Sequence, residues 1–224
     1  MSVPEVTQPP QLNPVEARVV ASLIEKQATT PDVYPLTLNA AVLACNQKSA
    51  REPTMQLDPG EVGHALRQLE ARGWVKAQHG GRADRYEHRF DAVLGITRPQ
   101  AALLALLMLR GPQTAYELLT RSERMASFES VEDVQHALGR LAQRDPALVR
   151  EIPRQGGQRE DRYAHLLSGE PVVPVASARA MPTSSSSSSS LDSRVEALES
   201  RVAELEAQLM RLLGESDRKS SDES

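Results

Sequence analysis

The stretch DPGEVGHALRQL, Asp58–Leu69, returns later in the chain as SVEDVQHALGRL, Ser130–Leu141. In that register Val62 matches Val134, His64 matches His136, and Leu66 and Leu69 match Leu138 and Leu141. A second pair of blocks follows in the same order. GGRADRYEH, Gly80–His88, aligns with GGQREDRYAH, Gly156–His165, which is one residue longer. Two matched blocks in one order imply a unit written twice. The first copy covers 12–90 and the second 91–167.

Helix starts repeat with the blocks. Asn13-Pro-Val-Glu16 has a capping residue, proline at the first helical position, and a glutamate placed to reach back to the cap. Asp58-Pro-Gly-Glu61 does the same, and Thr97-Arg-Pro-Gln100, Thr114-Ala-Tyr-Glu117 and Ser130-Val-Glu-Asp133 are looser versions. Thr37 is the cap left for one further helix. The pattern predicts three helices per copy: Pro14–Lys26, Leu38–Cys45 and Pro59–Arg72, then Pro99–Leu109, Ala115–Arg121 and Val131–Arg144. Two short runs around a glycine pair follow each third helix: Trp74–Gln78 and Arg85–Phe90, then Leu148–Ile152 and Arg162–Leu167. Alternation sets Tyr86, His88 and Phe90 on one face and Arg85, Glu87 and Arg89 on the other. Such runs read as a β-hairpin. Three helices and a hairpin, twice, is the arrangement of a tandem winged helix. The expected fold class is α+β, mainly α.

Beyond Leu167 the composition changes. Residues 168–190 carry Pro171, Pro174 and an unbroken serine tract, Ser184–Ser190, and read as a flexible linker. The next segment, 191–213, reads as a coiled-coil helix. Leu191, Val195, Leu198, Val202, Leu205, Leu209 and Leu212 alternate four and three apart. Leucine fills d, and Val195, Val202 and Leu209 fill a; β-branched a with leucine at d favours a parallel two-stranded coil. Arg194 and Arg201 would face Glu199 and Glu206 of a parallel partner. The expectation is a homodimer through this helix; the alternative is an amphipathic helix folded back on the body. Residues 1–11 and 214–224 read as disordered termini.

Composition narrows the function. Of 224 residues, 26 are Lys or Arg and 30 Asp or Glu, a formal net charge of -4, which excludes a globally basic nucleic-acid binder. The acidity lies outside the repeat. Residues 12–90 hold ten basic and nine acidic side chains, 91–170 ten and eleven, and 171–224 six and nine. One cysteine, Cys45, excludes a disulfide framework and a cysteine-rich zinc module. Seven thinly spread aromatics argue against a base-stacking platform for single strands. The longest apolar run, Ala101–Leu109, is too short to span a bilayer, and no signal-peptide pattern opens the chain, so a cytoplasmic location is expected.

Enzyme chemistry is not expected. The chain lacks a G-x-S-x-G elbow, a G-x-x-x-x-G-K-[ST] loop, G-x-G-x-x-G and H-E-x-x-H. Cys45 has no histidine near it in sequence and reads as a structural thiol. His88 and His165 hold equivalent places without ligand-spaced partners and read as packed histidines rather than metal ligands. No cofactor or metal is expected.

The third helices carry the candidate site. With Val62, Leu66 and Leu69 buried, His64, Arg67 and Gln68 point away from the core; the second copy presents His136 and Arg140 likewise. In a winged helix on DNA this face enters the major groove, where such side chains reach base edges. Hairpin residues Arg82, Arg85, Arg154 and Arg159 are candidates for phosphates. Glu61 and Asp133 suit the helix N-termini but would repel phosphates, and a solvated polar face accounts for the same residues. The loop NQKSAREP, Asn46–Pro53, is longer than a tight helix-turn-helix needs. Its Asn46, Gln47, Lys48, Ser49 and Arg51 are candidates for holding an anion or a partner, with a structural loop that satisfies the end of the second helix as the favoured alternative.

LNPVEARVVASLIEKQATTPDVYPLTLNAAVLACNQKSAREP, Leu12–Pro53, closely resembles the YceH-like family of bacterial proteins. LGITRPQAALLALLMLRGPQTAYELLTRSERM, in the second copy, is similar to the same family. The resemblance covers Leu12–Leu167. It implies two winged-helix domains in one chain and no established activity; the serine tract departs from it, and the tail is only loosely comparable. Two functions are therefore expected to compete. One is a DNA-binding, transcription-regulator-like protein that binds double-stranded DNA. The other is a winged-helix scaffold that binds a protein partner without DNA.

Overall fold

The computed structural model describes residues 11–81, 83–154 and 159–171. The chain divides into two units, 1–173 and 174–224, and every described residue lies in the first. The serine tract, the seven heptad residues from Leu191 to Leu212, both chain termini and Arg82 lie outside the described residues.

The elements follow the capping signals. Helix α1 spans Pro14–Thr29, α2 Leu38–Cys45 and α3 Pro59–Ala71. Asn13 and Asp58 each accept a hydrogen bond from the third helical N–H, and the Glu16 and Glu61 carboxylates accept one from the cap's backbone N–H. These boxes satisfy backbone donors that a helix start leaves orphaned. In the second copy, α5 spans Arg98–Arg110, α6 Ala115–Ser122 and α7 Val131–Ala142, capped by Thr97, Thr114 and Ser130. A short helix not anticipated, α4 at Phe90–Leu94, joins the copies. It places Phe90 beyond the end of the strand, with its ring 5.5 Å from that of Trp74.

Two small antiparallel sheets accompany the helices. β1 (Leu36–Thr37), β2 (Val75–Gln78) and β3 (Arg85–His88) pair in the order β1-β3-β2. β4 (Val149–Ile152) pairs with β5 (Arg162–His165). The registers repeat: Val75 faces His88 in one hairpin and Val149 faces His165 in the other. The third strand also has a counterpart. Leu36 pairs with Tyr86, and the isolated bridge of Gln113 to Tyr163 holds the same place in the second copy. The architecture is α+β and consistent with a winged helix.

A continuous core runs through both copies. α1 packs on α5, so the first helix of one copy lies against the first helix of the other. α5 is buried at every position from Gln100 to Leu109, which explains a sequence apolar all round rather than on one stripe. Backbone bonds stitch the seam: Leu12 N–H donates to Leu167 O at 2.6 Å, and Glu52 N–H to Leu109 O at 2.7 Å. Within the second copy, Arg144 Nη2 donates to Leu94 O at 2.6 Å and ties the end of α7 to α4. Among the described residues no helix is long and apolar enough to cross a membrane.

Candidate nucleic-acid interface

Helical periodicity puts the apolar residues of α3 inward and its polar residues outward. Val62, Leu66 and Leu69 are buried, whereas His64, Arg67 and Gln68 are exposed on one face. α3 packs beside the first hairpin, where Glu70 Oε1 accepts from Ala77 N–H at 3.2 Å. Burial raises the Tyr86 phenol above its usual pKa, Asp84 and Glu70 add to the rise, and the Arg67 charge acts against it. Arg67 therefore lies within electrostatic reach of β3. Arg85 is exposed at the start of β3, with Nη1 donating to Pro35 O at 2.8 Å. Among the described residues neither Arg67 nor Arg85 forms an ion pair. Other basic groups nearby are committed. Arg72 binds Glu16 at 2.6 Å, and Lys76 lies 3.9 Å from Glu87.

The second copy presents a more acidic version. On α7, His136 and Arg140 are exposed, and so are Glu132 and Asp133 one turn earlier. In the hairpin, Arg154 N–H donates to Asp161 Oδ1 at 2.8 Å and its guanidinium contacts Arg159 O at 3.4 Å. Arg150 pairs with Glu170, and Arg162 lies 3.7 Å from Glu117. Arg154 and Arg159 stay exposed at the hairpin tip.

The long loop after α2 is organised by its own side chains. Asn46 Nδ2 donates to Leu57 O at 2.8 Å, and Leu57 N–H returns to Asn46 Oδ1 at 2.9 Å. Arg51, a candidate for an anion or partner in a loop whose favoured reading is structural, is buried. Its Nη2 and Nη1 reach the Glu25 carboxylate at 2.6 and 3.1 Å, and its Nε and Nη2 donate to Ala44 O. Arg18, a residue not singled out from the sequence, adds Nη1 to Cys45 O at 3.2 Å and Nη2 to Pro53 O at 2.6 Å. Two guanidinium groups thus occupy the carbonyls at the C-terminus of α2, where cations are favoured by the helix dipole. Gln47 is half-buried, and only Lys48 and Ser49 of the candidate loop residues are exposed.

His88, His165 and Cys45 sit in the packing. His88 Nε2 and Gln27 Oε1 are 2.8 Å apart, and burial lowers the His88 pKa. Burial takes His165 down to about 4. Cys45 is buried and its thiol pKa is raised by burial. Among the described residues no cluster of three or more His, Cys, Asp or Glu could hold a metal ion.

These features define an α+β protein with two exposed polar helix faces, each followed by a hairpin. Residues 12–158 match a family described as "Protein of unknown function, DUF480", and the chain belongs to that family. A UPF0502 protein of Xanthomonas axonopodis pv. citri is 55% identical over 199 residues, 87% of this chain and 89% of that protein. UPF0502 proteins of Mesorhizobium japonicum and Stenotrophomonas maltophilia are each 54% identical over 209 residues, 92% of this chain and 98% and 95% of theirs. These relationships agree with the YceH-like resemblance. The match over 209 residues is longer than the stretch from Leu12 to Leu167.

Proposed function

We propose that the chain is a DNA-binding protein of tandem winged-helix type, working as a homodimer through its C-terminal helix. The observation that carries this reading is the α3 face: His64, Arg67 and Gln68 are exposed together beside a hairpin, and Arg67 is in no ion pair among the described residues. A helix presented this way fits the major groove, with the hairpin arginines toward phosphates. Near-neutral domains make the electrostatic share small, so affinity should be modest and fall with salt. The test is fluorescence anisotropy with random duplex DNA at low and high salt. Saturable binding at micromolar protein in low salt, weakened by salt, is expected; no binding in low salt rejects the proposal.

A second reading is a protein-binding scaffold. It is favoured by an exposed apolar side chain on the second helix of each copy, Leu43 at 73% exposure on α2 and Tyr116 at 61% on α6. Exposed large apolar groups on these helices suit a partner surface better than a phosphate backbone.

A further inference from the structure

We propose that the cavity between the two copies binds a small aliphatic α-amino acid. The cavity holds about 270 Å³, which suits a compact ligand. It opens where α1 meets the start of α5, and its apolar wall is Ile24, Ala28, Ala101, Ala102 and Met125. Two groups of opposite charge share the lining, Arg98 at the first turn of α5 and Asp91 on α4. Arg98 is exposed and forms no ion pair among the described residues. Asp91 accepts a 3.0 Å bond from Ala92 N–H and lies 4.0 Å from His88 Nδ1.

Each part of a zwitterion has a counterpart. A carboxylate fits the Arg98 guanidinium, which offers a planar fork to two oxygens. An ammonium fits the Asp91 carboxylate. A branched aliphatic side chain fits the wall of alanines, Ile24 and Met125. His88 and Gln27 hold each other at 2.8 Å on the lining and add polar atoms that shape the site. A simple anion would leave Asp91 facing it at an electrostatic cost, and a simple amine would meet Arg98 in the same way. The inference does not depend on DNA binding, since the cavity is lined from α1, α4, α5, the end of β3 and Met125 rather than from the exposed third-helix faces.

The test is isothermal titration of the full chain with L-leucine, isovalerate and isoamylamine, without DNA. Arg98→Gln removes the carboxylate fork. Ala28→Phe fills the mouth from an exposed position on α1. Thermal melts of both variants check that they fold. Saturable binding of leucine, tighter than either analogue and weakened at least about tenfold by each variant, is expected; that factor equals about 1.4 kcal/mol. No saturable leucine binding, an analogue that binds as well as leucine, or binding that either folded variant leaves intact overturns the proposal.

Discussion

Arg51 and Glu25 form a two-pronged ion pair, with nitrogen–oxygen distances of 2.6 and 3.1 Å, that fastens the loop after α2 to α1. The Arg51 side chain is fully buried and that of Glu25 is 13% exposed. Burial alone would push the Glu25 carboxyl up, but the hydrogen bond and charge of Arg51, joined by those of Lys26 at 3.2 Å, outweigh it and the pKa falls below the usual value. Removing one partner of such a pair leaves a buried charge uncompensated. Glu25→Gln should destabilise the protein by roughly 3 kcal/mol at pH 7. Glu25 is more acidic folded than unfolded, so its contribution is present above the unfolded carboxylate range near pH ~4.3 and is lost as pH falls through the folded value. Urea melts at several pH values should show the wild type losing this increment in acid while Glu25→Gln does not.

His165 acts in a different pH window. Burial holds it at about 4, and its Nδ1 is buried without a hydrogen-bond partner. The unfolded chain takes up a proton near pH ~6.5, whereas the folded chain resists until much lower pH. Stability from the neutral ring is therefore complete above the unfolded value and declines as pH falls toward about 4. A shift of that size corresponds to roughly 3 kcal/mol. His165→Leu should flatten the stability profile in this interval, as measured by denaturant melts at pH 7 and 5. A profile as steep as the wild type would show that another group carries the dependence.

Local signals made most of the fold readable. The caps at Asn13, Thr37, Asp58, Thr97, Thr114 and Ser130 all accept the hydrogen bond that their spacing implies, because a cap and its helix lie in one short segment. β1 was not readable: Leu36–Thr37 is extended only because it pairs with β3, far along the chain. α4 was hidden because Phe90 continues the alternation of Tyr86 and His88, and its helix has no side-chain cap. The outward set His64, Arg67, Gln68, His136 and Arg140 followed from helical period alone. Arg51 did not, since its partner Glu25 comes from another helix and a polar loop gives no sign of which arginine turns inward. Arg18 did leave a sign, a charge one turn from the apolar Val15 and Ala21.

Asn46 stands in for missing backbone pairing by bonding both the N–H and the C=O of Leu57. Asn46→Ala leaves both groups in a partly buried place and should cost about 1–3 kcal/mol. Asn46→Asp keeps the acceptor and loses the donor, so it should fall between the two. Lys48→Ala, on the exposed crest of the same loop, should leave stability within about 0.5 kcal/mol. Equal losses for Asn46→Ala and Lys48→Ala would show that the clamp does not hold the loop.

If the third helices meet DNA, the two copies should contribute unequally. Asp58 and Glu61 are exposed at the start of α3 and Glu132 and Asp133 at the start of α7, but only the α3 face carries an arginine, Arg67, whose charge reaches its own hairpin. Arg67→Ala should weaken duplex binding by about 1–3 kcal/mol if it reads a base edge, or lower the salt slope by about one if it touches phosphate. Arg140→Ala should do less. Glu132→Gln should strengthen binding in low salt by removing a repulsive charge, and the gain should vanish as screening shortens the reach of surface charges. Anisotropy titrations of these variants across a salt series decide the matter. A larger loss from Arg140→Ala than from Arg67→Ala would assign the principal contact to α7, and equal indifference to both would move it off the third helices.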